Sequence, residues 1–216
     1  MITHTEKKTL IQKILSFGML MPLAKLGKVS FVIGSYAATF SFANALMPLS
    51  GLYFGLNGAT CVTVCLMFLA SLMRGGFAFH HLAFGIPNLF ASYYWICRSW
   101  FFRFLIPFLC IILFLAHPIG AQSWPYALYW FIPLALYFKQ PSSLFTTALG
   151  STFTAHAVGS VIWLYTVPMA PSMWLALIPI VALERILFAI AMVVVHRIIQ
   201  QLIHFWHVRS FIRISA

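Results

Sequence analysis

Residues 172–195, SMWLALIPIVALERILFAIAMVVV, decide how this chain is read. The stretch is apolar over the about 20 residues that a helix needs to cross a hydrocarbon layer. Its only charged residues are Glu184 and Arg185. A closed barrel would need short segments alternating apolar with polar, and continuous apolar blocks predict helices instead. The whole chain shares this character. Of its 216 residues 62% are hydrophobic and 7% charged, against roughly 25% charged in an average soluble domain.

Six more apolar segments precede it, at 29–47, 51–73, 77–97, 101–117, 122–138 and 144–166. Basic residues gather at the two ends: Lys7, Lys8, Lys13, Lys25 and Lys28 at one, Arg197, Arg209 and Arg213 with His196, His204 and His207 at the other. Basic flanks favour the cytoplasm, so an even number of crossings is expected. Segment 77–97 is the weakest, because it holds His80, His81, Gly85, Pro87 and Asn88, and a re-entrant or interfacial course keeps Arg74, Arg98 and Arg103 on one side. The expectation is an all-α integral membrane protein, a six-helix transmembrane bundle with a re-entrant or interfacial seventh segment. Residues 1–28 read as a basic cytoplasmic arm without the uninterrupted core of a signal peptide. Residues 29–195 read as the transmembrane helical domain, and 196–216 as a basic cytoplasmic tail. The expected location is a bacterial inner (plasma) membrane with both termini cytoplasmic. The net charge of +11 suits membrane lipids as partners, and nucleic acid is not expected, because no separate basic domain exists to carry it.

Glu184 and Glu6 are the only acidic residues. An ionisable group in the middle of an apolar span is a functional candidate by default; the alternative is a buried ion pair with Arg185 that fixes packing. Neighbours on a helix point about 100° apart, so the two share one surface only if Arg185 reaches around. In 144–166, Thr152, His156 and Ser160 recur every four residues on one face, and Ser151, Ala155 and Gly159 form an adjoining stripe of small residues that admits a close neighbour. Glu184, Arg185, His156, Thr152, Ser160, His80, His81 and Asn88 make up the candidate substrate-binding set.

Several chemistries lack the residues they need. No GxSxG elbow, phosphate-binding glycine loop or paired carboxylate occurs, so neither hydrolysis nor ATP binding is expected of this chain, and the reading is not that of an enzyme. Cys61, Cys65, Cys97 and Cys110 form no metal-ligand motif, and no metal or cofactor is expected. The alternative is an embedded enzyme or redox subunit holding metal or haem with buried histidines drawn from His80, His117, His156 and His196. Aromatic clusters at Tyr93, Tyr94, Trp95 and Trp100, and at Trp124, Tyr126, Tyr129 and Trp130, read as interfacial belts, with stacking on a planar ligand as the alternative for those beside outward loops.

Residues 47–72, MPLSGLYFGLNGATCVTVCLMFLASL, place a Pro-Gly turn before Gly51, Gly55, Gly58 and Ala59. This resembles the short outward loop and Gly-rich second helix of the substrate-binding S components of energy-coupling factor (ECF) vitamin transporters. The resemblance implies a membrane-embedded subunit that captures a vitamin-sized small molecule for uptake, energised by separate ATPases through a membrane coupling subunit. It also implies that Ala37, Ser41 and Ala45, spaced by four, form the partner interface.

Overall fold

A computed structural model describes residues 4–26, 28–33, 36–41, 43–73, 85–139 and 143–212. In chain order these form α1 (His4–Leu26), β1 (Lys28–Ile33), β2 (Tyr36–Ser41), α2 (Ala43–Leu46), α3 (Leu49–Met73), α4 (Ile86–Ile96), a π turn (Phe101–Leu105), α5 (Ile106–Ala116), α6 (Pro118–Gln122), a 3-10 segment (Trp124–Trp130), α7 (Phe131–Lys139), α8 (Leu144–Thr166) and α9 (Pro171–Ile212).

Local chemistry explains most of these boundaries. Ser143 caps α8 through a reciprocal pair, its hydroxyl accepting from the Thr146 N–H while the Thr146 hydroxyl accepts from the Ser143 N–H, which satisfies two otherwise orphaned donors. Pro171 opens α9, where a missing N–H costs nothing. Pro107 has no N–H to offer the Arg103 carbonyl, and the turn before it widens into the π form. Arg103 is buried there and its guanidinium donates twice to the Tyr94 carbonyl, at 2.8 and 3.1 Å, tying the π turn to the last turn of α4.

Small residues set the closest helix approaches. Gly51 lets α3 lie against the Ser92 carbonyl of α4. Ser151 on α8 donates to the Ala91 carbonyl at 2.9 Å, Gly150 lies under the Tyr94 phenol, and Gly159 lies against Pro87. The stripe of small residues on α8 is thus where α4 packs. Two apolar clusters fill the interior: one built on Phe114, Trp130, Phe153 and Trp174, the other on Leu46, Leu49, Trp95 and Met192.

The six-helix transmembrane bundle is overturned. Among the described residues two helices are long and apolar enough to cross a membrane, over Leu49–Leu69 and Pro171–Trp206, with mean hydropathy 1.7 and 2.4. Segment 29–47 is not one helix: KVSFVI and YAATFS pair as antiparallel strands with Val32 opposite Ala37 and Lys28 opposite Ser41, and only Ala43–Leu46 is helical among its described residues. Valine, isoleucine and phenylalanine suit a pleated strand, and apolarity alone does not distinguish the two states. Ala37 and Ser41 therefore lie in β2 and Ala45 in α2, not on one helical face. The α4 helix has 11 residues, about 16 Å at 1.5 Å per residue, half of the ~30 Å hydrocarbon thickness. Segment 122–138 is divided between the 3-10 segment and the 9 residues of α7. The expected inner-membrane location with both termini cytoplasmic, and the lipid partners inferred with it, lose the multi-span architecture on which they rested.

Candidate functional site

The sole acidic residue outside the N-terminal helix sits on α9, one position before Arg185, and both are buried. Adjacent side chains diverge on a helix, and Arg185 resolves this by bending back: its Nη2 lies 2.5 Å from Glu184 Oε1. The contact joins the charges without the angles of a hydrogen bond. The Arg185 Nη1 reaches across to α8 and donates to the Thr152 hydroxyl at 3.3 Å and the Thr152 carbonyl at 3.4 Å. The guanidinium carbon stands 4.9 Å from the Phe188 ring centroid, so α9 itself supports the same cation from its other side.

One turn along α8 from Thr152, the His156 ring lies 5.3 Å from the Tyr126 ring and 6.2 Å from Trp130, between centroids. A further turn on, Ser160 Oγ and Tyr126 Oη are 3.3 Å apart. Tyr126 is the hub, with the Trp174 ring 4.9 Å away and Phe114 stacked at 5.7 Å. The structure thus brings Thr152, His156, Ser160, Glu184 and Arg185 together. Asn88 lies in the first turn of α4, its carbonyl accepting from Ser92, and no described contact joins it to the cluster. His80 and His81 lie outside the described residues.

Burial dominates the electrostatics here. It holds His156 well below the ordinary imidazole range, with the Arg185 charge acting in the same direction, so the ring is neutral at pH 7. Burial likewise pushes the Tyr126 phenol up, against the opposing effect of its bond to Ser160. Four side-chain nitrogens in this neighbourhood are buried without a hydrogen-bond partner among the described residues: Trp130 Nε1, His156 Nε2, Trp174 Nε1 and Arg185 Nε.

Tyr126, Trp130 and Trp174 are site residues that sequence patterning does not single out. An interfacial belt would keep Tyr126 and Trp130 at the surface, yet Trp130 is 0% exposed, Tyr126 3% and Trp174 2%, whereas Trp124 is 56% exposed. Spacing in the sequence does not pick them out, because in a 3-10 segment positions three apart, not four, share a side.

The histidine-based metal or haem alternative is also overturned. Among the described residues no three metal-ligating side chains come together. Each described histidine of that set is engaged locally: His117 Nδ1 accepts from the Ile119 N–H at 3.3 Å at the start of α6, His156 packs on Tyr126, and His196 Nδ1 lies 2.8 Å from the Tyr53 hydroxyl.

No family model, curated protein or solved structure matches this chain. The resemblance to ECF S components has no such support, and the six-helix scaffold it implied is not the one observed. The uptake role, the coupling subunit and the ATPases that followed from it fall as well. The glycines that carried it have local uses: Gly51 admits α4, and Gly55 adopts φ 70° and ψ −174°, a kink within α3.

Proposed function

We propose that this chain is a helical small-molecule-binding protein whose site is the buried polar and aromatic cluster between the 124–130 segment, α8 and α9. The observation that carries this reading is the set of four unpartnered nitrogens around Tyr126, on Trp130, His156, Trp174 and Arg185. Each buried donor left without a partner costs about 1–3 kcal/mol, and folded proteins keep few of them. One orphan is ordinary; those on Trp130, His156 and Trp174, whose rings all pack on Tyr126, with Arg185 bonded to Thr152 one turn from His156, favour a polar occupant that bonds several at once. Thr152 and Glu184 hold the Arg185 guanidinium in place, and a few polar groups set among aromatic side chains are the composition found in small-molecule sites. The lone carboxylate of the cluster is already paired with Arg185, so it lacks the second carboxylate of an acid/base pair. The reading is binding without turnover.

The test is identification of molecules retained by the natively purified chain, by mass spectrometry of the intact complex. Wild type should carry one small molecule per chain, and the folded Trp130→Phe/Trp174→Phe double variant, which keeps the rings and removes both indole N–H groups, should lose it. Retention that is unchanged in the double variant would place any ligand elsewhere. A second reading has its own observation: Arg185 bonds both the hydroxyl and the carbonyl of Thr152, which makes the cluster a latch between α8 and α9. A wild-type chain that carries no molecule, and whose variants change only in thermal stability, would establish the latch alone.

A further inference from the structure

We propose that Cys61 and Cys65 form a two-coordinate binding site on α3 for a soft, monovalent metal ion of the Cu(I) kind. The site uses none of the residues of the Tyr126 cluster and stands or falls apart from it. Both thiols are free and exposed, whereas Cys110 is buried, so neither is spent on packing the core. They lie four residues apart on one helix, and residues at that spacing share a face. Non-helical backbone inside α3 is confined to Gly55, so the turn that carries Cys61 and Cys65 is regular. The two side chains meet, the Cys61 thiol being the hydrogen-bond partner of Cys65.

What the pair can bind follows from its geometry. Cβ atoms four residues apart on a helix are about 5–6 Å from one another, and a disulfide needs roughly 3.5–4.5 Å. An intact helix therefore keeps the two thiols from closing on each other. A metal ion held between two sulfurs at about 2.3 Å from each bridges roughly 4.6 Å, which the same spacing accommodates. Donor type and number then select the ion. Thiolates are soft and favour Cu(I), zinc and iron–sulfur clusters, but the last two take three or four protein ligands. Among the described residues no third Cys, His, Asp or Glu joins the pair, and α3 itself contains no His, Asp or Glu. The Met67 thioether lies two positions beyond Cys65, about 200° round the helix, where it covers Gly85. Two thiolates and no further ligand suit a two-coordinate ion, which the spacings that mark zinc sites do not describe. Binding replaces both S–H bonds with S–Cu bonds, releases two protons and leaves copper in the +1 state, so no oxidant or reductant takes part.

The test is anaerobic titration of the full, reduced chain with Cu(I) in competition with the chromogenic chelator bicinchoninate. One ion per chain should be bound, and X-ray absorption should show two sulfur neighbours per copper. Cys61→Ser and Cys65→Ser should each weaken binding at least hundredfold, while Cys97→Ser should bind as wild type does. Circular dichroism checks that the variants, both at exposed positions, keep the helical fold. A wild-type chain that takes no copper from the chelator overturns the proposal, as does copper retained by the Cys61→Ser/Cys65→Ser double variant. Three or four sulfur neighbours per copper, or one ion shared by two chains, also overturns it, because a second copy would then complete the site. Zn(II) bound as tightly as Cu(I) overturns the choice of ion.

Discussion

Gly150 on α8 lies directly under the phenol of Tyr94 on α4, so close that a methyl group at position 150 would be driven into the Tyr94 hydroxyl oxygen. That oxygen is buried and has no hydrogen-bond partner among the described residues, and burial raises the phenol pKa to about 12. Gly150→Ala should therefore destabilise the chain by about 1–3 kcal/mol through overpacking. Tyr94→Phe, which removes the obstructing atom together with its desolvation cost, should be neutral or stabilising and should rescue much of the loss in the double variant. Thermal unfolding of the three variants checks this; equal losses for Gly150→Ala with and without Tyr94→Phe would show that the contact is not what limits the approach.

Gly55 makes a different demand. Its backbone at φ 70° and ψ −174° is accessible essentially to glycine alone, while a Cβ there would meet nothing within 4 Å. The cost of Gly55→Ala is therefore conformational and not steric, about 1–3 kcal/mol. Denaturant unfolding should show that loss for alanine and a loss at least as large for valine. A variant as stable as wild type would mean that α3 runs straight through position 55.

Removing one partner of the Glu184–Arg185 pair leaves the other charge buried, so Glu184→Gln should destabilise by about 3–5 kcal/mol even though it preserves shape. The double variant Glu184→Leu/Arg185→Met abolishes both charges and should recover most of that stability. It forfeits the Arg185 bonds to Thr152 and should bind no ligand. A double variant that binds as wild type does would remove Arg185 from the site.

His156 makes stability depend on pH in a defined direction. Above about pH 6.5 the ring is neutral in both the unfolded and the folded chain and contributes no slope. Below that value the unfolded chain takes up a proton that the folded chain refuses, because burial and Arg185 depress the folded pKa. Stability therefore falls as pH drops, by up to about 1.4 kcal/mol per pH unit, until folded His156 itself becomes protonated. Unfolding free energies measured between pH 7 and pH 5 should fall less steeply for His156→Gln than for wild type. Parallel curves would contradict the neutral, buried state.

Much of the second half of the chain is legible in its residues alone. The apolar run 144–166 coincides with α8, and its four-residue spacing places Thr152, His156 and Ser160 on the face that meets the cluster, because helix geometry dictates which residues share a side. The adjoining small residues mark the side on which α4 lies. The lone Glu184 in an apolar stretch marks a site of interest, because a buried carboxylate needs a partner wherever it is. Tertiary structure decides the rest. Apolarity is the same property whether a side chain faces lipid or another helix, so composition does not separate a buried Trp130 from an exposed Trp124. Nor does it separate a strand from a helix at 29–47, where pairing across a hairpin outweighs any helical spacing of Ala37, Ser41 and Ala45. The contacts that define the cluster join residue 126 to 156 and 174 and residue 152 to 185, and such contacts between distant parts of the chain exist only once the helices have packed.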